Sequence, residues 1–233
     1  MTGSTQTGGQ RRTPRTAISS VIPQERRSES SEARVFFDKS LATTSEAAPG
    51  SGQWNAASQS GGCRGVMMSS YRQLVNYLAG RDPGTGGVLT YFYGQAGSPG
   101  YAVTPQTFDQ IFASAEAQPN GARNLAGVLR IAEDELRGRG GQRGLLVDVL
   151  LTTGEPQDAE RTLAWFRSAG RDHIIVVGLY GTSEQVQPAQ EWYDKIADEV
   201  REHNDGQRYM HVYNFEQVTD ADEIGADLTK ALS

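Results

Sequence analysis

The sequence is poor in the residues that most often carry chemistry or cross-links. Its 233 residues include one cysteine, Cys63, and three histidines, His173, His203 and His211. A single cysteine excludes an intramolecular disulfide framework. No histidine stands at zinc-ligand spacing from another or from Cys63, so no zinc site is expected. No apolar run approaches the roughly 18 residues of a membrane span. The polar N-terminus also lacks the apolar core of roughly 7–15 residues that a secretory signal needs. Together these lacks predict a cytoplasmic protein with no membrane partner.

Phosphate loops and nucleophile motifs are missing as well. Gly94, Gly97 and Gly100 in GQAGSPG follow a strand pattern, but without G-x-G-x-x-G spacing, and the YAVTP after them reads as extended, a two-stranded excursion. GRGGQRG, at 138–144, precedes a strand where a phosphate loop would precede a helix. No serine or cysteine has a nucleophile-elbow context, and no P-loop lysine occurs. The expectation is a protein that is not an enzyme.

What is present fits one ordinary soluble domain with additions, since 37% hydrophobic and 21% charged residues in a chain this long can bury one core. The net charge is −6. Acidic side chains crowd the stretch from Glu191 to Asp227, against only Lys195, Arg201, Arg208 and Lys230 from Thr182 onward, and would repel nucleic-acid phosphates. Residues 1–32 are Ser, Thr, Gly, Gln and Arg with little apolar content, a disordered tail whose arginines either meet an acidic partner or only solubilise the chain. The domain then spans 33–233. Within it, residues 42–65 form a long loop rich in Ala, Ser, Gly, Gln and Thr. Its one large apolar residue, Trp54, is either a docking anchor or an incidental exposed aromatic.

Elsewhere two periods alternate. RVFFD, GVLTYFYG, GLLVDVLLT, HIIVVGLY and RYMHVYNF read as strands. Between them, sets such as Met67, Tyr71, Leu74, Val75 and Leu78, or Leu125, Val128, Leu129, Ala132 and Leu136, place apolar stripes on helices. Thr104 with Pro105 reads as a helix start, Gly170 as a helix end, and Asp220 with Glu223 as a capping box. Strands apolar on both faces need helices on both sides, so the fold class is α/β with a doubly wound, mainly parallel sheet. Ligands of such sheets bind outside the carboxyl ends of the strands, where Asp38, Gly94, Thr153 and Tyr180 fall. Asp148, in the middle of its strand, is expected to be a satisfied structural group that faces a helix carrying Arg or Ser, or lies near the sheet's edge.

The order FFDKS, YRQLVNYLAG, GVLTYFYG, GARNLAGVLRIAEDEL, GLLVDVLLTTGEP and SAGRDHIIVVGLYG resembles a von Willebrand factor type A (VWA) domain, from about Arg34 onward. The resemblance implies a Rossmann-like VWA fold and a metal-ion-dependent adhesion site (MIDAS). That site is built from D-x-S-x-S, a threonine before a middle helix, and an aspartate in a T-D-G turn. Such ligands suit Mg2+, which takes hard oxygens and leaves one position for a partner's carboxylate.

Here the pattern is broken. Asp38 and Ser40 match its first two positions, but Ala42 stands at the third, Arg123 falls at the threonine position in GARN, and Thr153 replaces the aspartate, with Glu155 close by. At about 4 Å a guanidinium would repel a divalent cation by several kcal/mol per charge pair. No cofactor is therefore expected. Mg2+ is disfavoured, with Asp38 and Ser40 its only remaining ligands and Glu155 the one acidic group beside a remodelled site. Arg123 either pairs with Asp38 in the metal's place or points to solvent.

The expectation for function is a non-enzymatic protein-binding module with a degenerate MIDAS at Asp38, Ser40, Ala42, Arg123, Thr153 and Glu155. Two other classes stand beside it. One is a structural or assembly subunit that binds copies of itself through its tail and long loop; the other is an unrecognised nucleotide-binding α/β domain.

Overall fold

The computed structural model describes residues 31–45, 62–78, 86–140, 145–169, 173–203, 209–215 and 226. Trp54, Gly170, the Asp220–Glu223 pair, most of the tail and the middle of the long loop lie outside them.

Six runs of β-branched and aromatic residues form one sheet. They are β1 (Ser31–Asp38), β2 (Val88–Tyr93), β3 (Tyr101–Val103), β4 (Leu145–Thr152), β5 (His173–Leu179) and β6 (Met210–Asn214). The strand order is β3-β2-β1-β4-β5-β6. All neighbours are parallel except β2 and β3, which are antiparallel and form the two-stranded excursion at YAV.

The helices are α1 (Ala42–Ser45), α2 (Gly62–Leu78), α3 (Phe108–Ala113), α4 (Ala126–Gly138), α5 (Ala159–Ser168) and α6 (Ser183–His203), with a 3-10 turn at Ala115–Ala117. Strand alternation divides the core in two. Phe37, Val149, Leu151 and Val176 pack with Met67, Tyr71 and Leu74 of α2 and with Phe108 and Phe112 of α3. Phe36, Leu150, Ile175 and Val177 pack with Val128 and Leu129 of α4, Phe166 of α5 and Tyr193 and Ile196 of α6. Helices on both faces make the sheet doubly wound, the expected class.

Three boundaries differ from the sequence reading. β1 begins at Ser31, paired with Leu145, so Ser31 and Glu32 belong to the sheet and not to the tail. Ala42–Ser45 and the residues from Gly62 onward are helical, which shortens the expected 42–65 loop from both ends. Thr104 does start a helical turn: its Oγ1 accepts from Thr107 N at 3.1 Å and its own N–H donates to Thr107 Oγ1 at 2.9 Å. The regular helix nevertheless begins at Phe108, past Pro105.

Asp148 is fully buried and satisfied, but its main partner is on a neighbouring strand instead of a helix. Arg34 of β1, in register with Asp148, donates from Nε to Oδ1 at 2.7 Å and from Nη2 to Oδ2 at 2.8 Å. Glu133 of α4 also accepts from Arg34 Nη2, at 3.3 Å, and His173 Nδ1 lies 3.0 Å from Asp148 Oδ2. Burial works against both charges. Asp148 and Glu133 nonetheless leave the Arg34 pKa raised, while Arg34 and His173 leave Asp148 depressed to about 2.

Removing one partner of a buried pair strands the other charge, so Asp148→Ala is expected to cost about 3–5 kcal/mol in urea unfolding. A loss under about 1 kcal/mol would contradict this reading. Because the folded pKa is depressed, the stabilisation is whole above the ordinary carboxylate range and disappears as pH falls from about 4 toward 2. Stability measured across that window should drop less in Asp148→Ala than in the parent.

Candidate functional site

The chain leaves β1 toward β2 on one side and reaches β4 on the other, so the carboxyl ends of β1 and β4 flank the switch point of the sheet, the place where such sheets commonly bind ligands. Asp38 ends β1 there and is fully buried. Its Oδ1 accepts from Ser40 N at 2.8 Å. Its Oδ2 accepts from Thr152 Oγ1 at 3.0 Å and from Arg123 Nε at 2.7 Å.

Arg123 fills the place between the loops. Nη2 donates to Thr153 Oγ1, and Nη1 reaches the Glu155 carbonyl at 3.3 Å. The Arg123 carbonyl accepts from Gln157 N at 2.8 Å. One side chain thus joins the end of β1, the loop before α4 and the turn after β4. The guanidinium lies so close over that turn that a Cβ built on Gly154 would meet Nη1 at 2.4 Å. Any larger residue at 154 would have to displace the Arg123 guanidinium.

Asp158 completes the frame. Its carboxylate accepts from Leu125 N and Ala126 N, each at 2.9 Å, and from Thr162 Oγ1 at 3.1 Å. It therefore caps the start of α4 from the residue just ahead of α5, favourably placed against the α4 dipole. Two more cations lie on the other face. Lys39 Nζ donates to the Glu116 carbonyl and Arg64 Nη2 to the Ala117 carbonyl, at 2.6 Å for the latter, fixing the 3-10 turn to the end of β1 and to α2. Burial lowers the pKa of both, and the Arg64 guanidinium also sits 5.7 Å from the centre of the Phe37 ring.

The site is polar beyond its ion pair. Ser40 Oγ and Tyr193 Oη are buried without a hydrogen-bond partner among the described residues, and the Tyr93 phenol is buried beside Thr152. Burial pushes both phenols well above their usual pKa range.

The sequence matches no family model and no curated protein. Among solved structures it is similar to proximal thread matrix protein 1 from the mussel byssus, with a TM-score of 0.45 at 13% identity. The likeness covers 88% of this chain and 47% of that protein, so the chain spans about half its length.

Of the residues singled out from sequence, Asp38, Arg123 and Thr153 meet directly, and the pairing of Arg123 with Asp38 is the first of the two alternatives left open. Glu155 takes part through its carbonyl. Ser40 contributes its N–H, and Ala42, in α1, brings no side-chain oxygen. These donors do not fit a divalent cation. The Asp38 oxygen such an ion would need is already held by a guanidinium at 2.7 Å.

Sequence reasoning missed Thr152, Asp158, Lys39 and Arg64. Asp158 carried a legible signal, an acidic residue directly ahead of the Ala159 helix. The other three act through contacts between distant segments.

A double-mutant cycle on Arg123→Ala and Asp38→Asn should give a coupling of at least about 1 kcal/mol in chemical unfolding. Additive effects would contradict a direct pair. Gly154→Ala should destabilise by about 1–3 kcal/mol, and less in the Arg123→Ala background, where the clashing group is gone.

Proposed function

We propose that the chain is a metal-independent protein-binding module of the VWA type, in which Arg123 takes the place of the adhesion-site metal and partners are bound through the loops at the carboxyl edge of the sheet. The observation that carries this reading is the set of Arg123 contacts to Asp38, Thr153 and the Glu155 carbonyl. They hold together the three segments that would ligate a metal in that family.

Both Asp38 oxygens accept protein hydrogen bonds, which supports a holding role over acid–base work. The result is a rigid rim, as a preorganised interface requires. Leu41 follows the site in sequence and is 54% exposed, the large hydrophobic residue so placed among those described. Beside a fixed rim it offers an apolar contact to a partner. A cytoplasmic setting and a protein partner belong to the same proposal.

Capture from an extract of the native source with the full chain as bait, read by mass spectrometry, tests this. A partner retained in EDTA and reduced about tenfold by Leu41→Asp is the expected result, corresponding to one interface anchor. Release by EDTA, or capture indifferent to Leu41→Asp, would count against the proposal.

A further inference from the structure

A second concave region lies at the opposite, amino edge of the sheet, between the last turns of α4 and α5. It encloses about 440 Å3, within the roughly 300–1,000 Å3 of small-molecule sites. His173, the first residue of β5, lines it together with Trp165 of α5 and Arg130, Glu133, Asp134 and Arg137 of α4.

The lining is polarised from behind. His173 Nδ1 is 3.0 Å from the Asp148 carboxylate, which can only accept, so Nδ1 carries the proton and Nε2 is the nitrogen left for a ligand. The Trp165 ring stands edge-on to the imidazole, 5.8 Å between centres and 85° between planes, and fixes its orientation. Glu133 accepts from the buried Arg34 at 3.3 Å, sharing that guanidinium with Asp148, so its charge is offset only in part. Asp134 pairs with Arg137 at 3.1 Å. Arg130 is left as the lining cation with no ion pair among the described residues. A metal does not suit this cleft, because its carboxylates are engaged and two guanidinium groups line it.

We propose that this cleft binds a phosphate-bearing small molecule with a planar ring, the phosphate on Arg130 and His173 Nε2 and the ring against Trp165. Nε2 meets the phosphate as a donor when protonated, or as an acceptor from a phosphate hydroxyl. A nucleoside monophosphate is the simplest ligand of this class. The proposal goes beyond the protein-binding role and does not depend on it, since the two regions lie at opposite ends of the strands.

Calorimetric titration of the full chain with AMP, adenosine and inorganic phosphate tests it. AMP should bind saturably with a Kd below about 1 mM, and adenosine and phosphate each at least about tenfold more weakly. Arg130→Glu, at an exposed helix position where folding is retained and checked by circular dichroism, should weaken AMP at least about tenfold. No saturable AMP binding up to about 10 mM, AMP binding unchanged in Arg130→Glu, or phosphate bound as tightly as AMP would each overturn it.

Discussion

The carboxyl edge of this protein depends on the pairing of one buried carboxylate with one guanidinium. Asp38 sits at the switch point of a parallel sheet, fully buried, and a lone carboxylate there would be costly. Something cationic must meet it. Arg123 does so with a planar fork, and the same fork reaches Thr153 and the Glu155 carbonyl. A metal ion could bridge these segments too, but would exchange ligands with water and partners. A guanidinium is covalently tethered and cannot leave, so its contacts hold the three segments together.

The second buried ion pair, Arg34 with Asp148, does a different job. It ties β1 to β4 across the central strand pair and, through Glu133 and His173, extends to α4 and β5. Together the two pairs place fixed charge at the middle and at the carboxyl end of the β1–β4 seam. The interior between them is aliphatic and aromatic, so each polar cluster lies behind a surface region of its own: the loop rim at one end and the cleft beside Trp165 at the other.

Much of this was legible in the sequence, because its signals are local. Runs such as HIIVVGLY announce strands covered on both faces, and the helix stripes at Met67–Leu78 and Leu125–Leu136 announce what covers them. The meeting of Arg123 with Asp38 was one of two alternatives that the sequence left open. What stayed hidden depends on register and on long-range approach. No single segment says that Arg34 lies opposite Asp148, or that Lys39 and Arg64 end on carbonyls of one 3-10 turn. The helical start at Gly62 was also invisible: Gly62, Cys63, Arg64 and Gly65 have no apolar period, and their helix is stabilised by burying Cys63, Val66 and Met67 in the core.

The central claim is that Arg123 occupies the function of a metal. It is tested most directly by titrating Mg2+ and Mn2+ calorimetrically into the parent chain and into the triple variant Ala42→Ser, Arg123→Thr, Thr153→Asp, which restores the oxygen ligands. The account predicts no saturable binding to the parent and saturable binding to the variant. Micromolar binding to the parent, lost in Asp38→Ala, would contradict it.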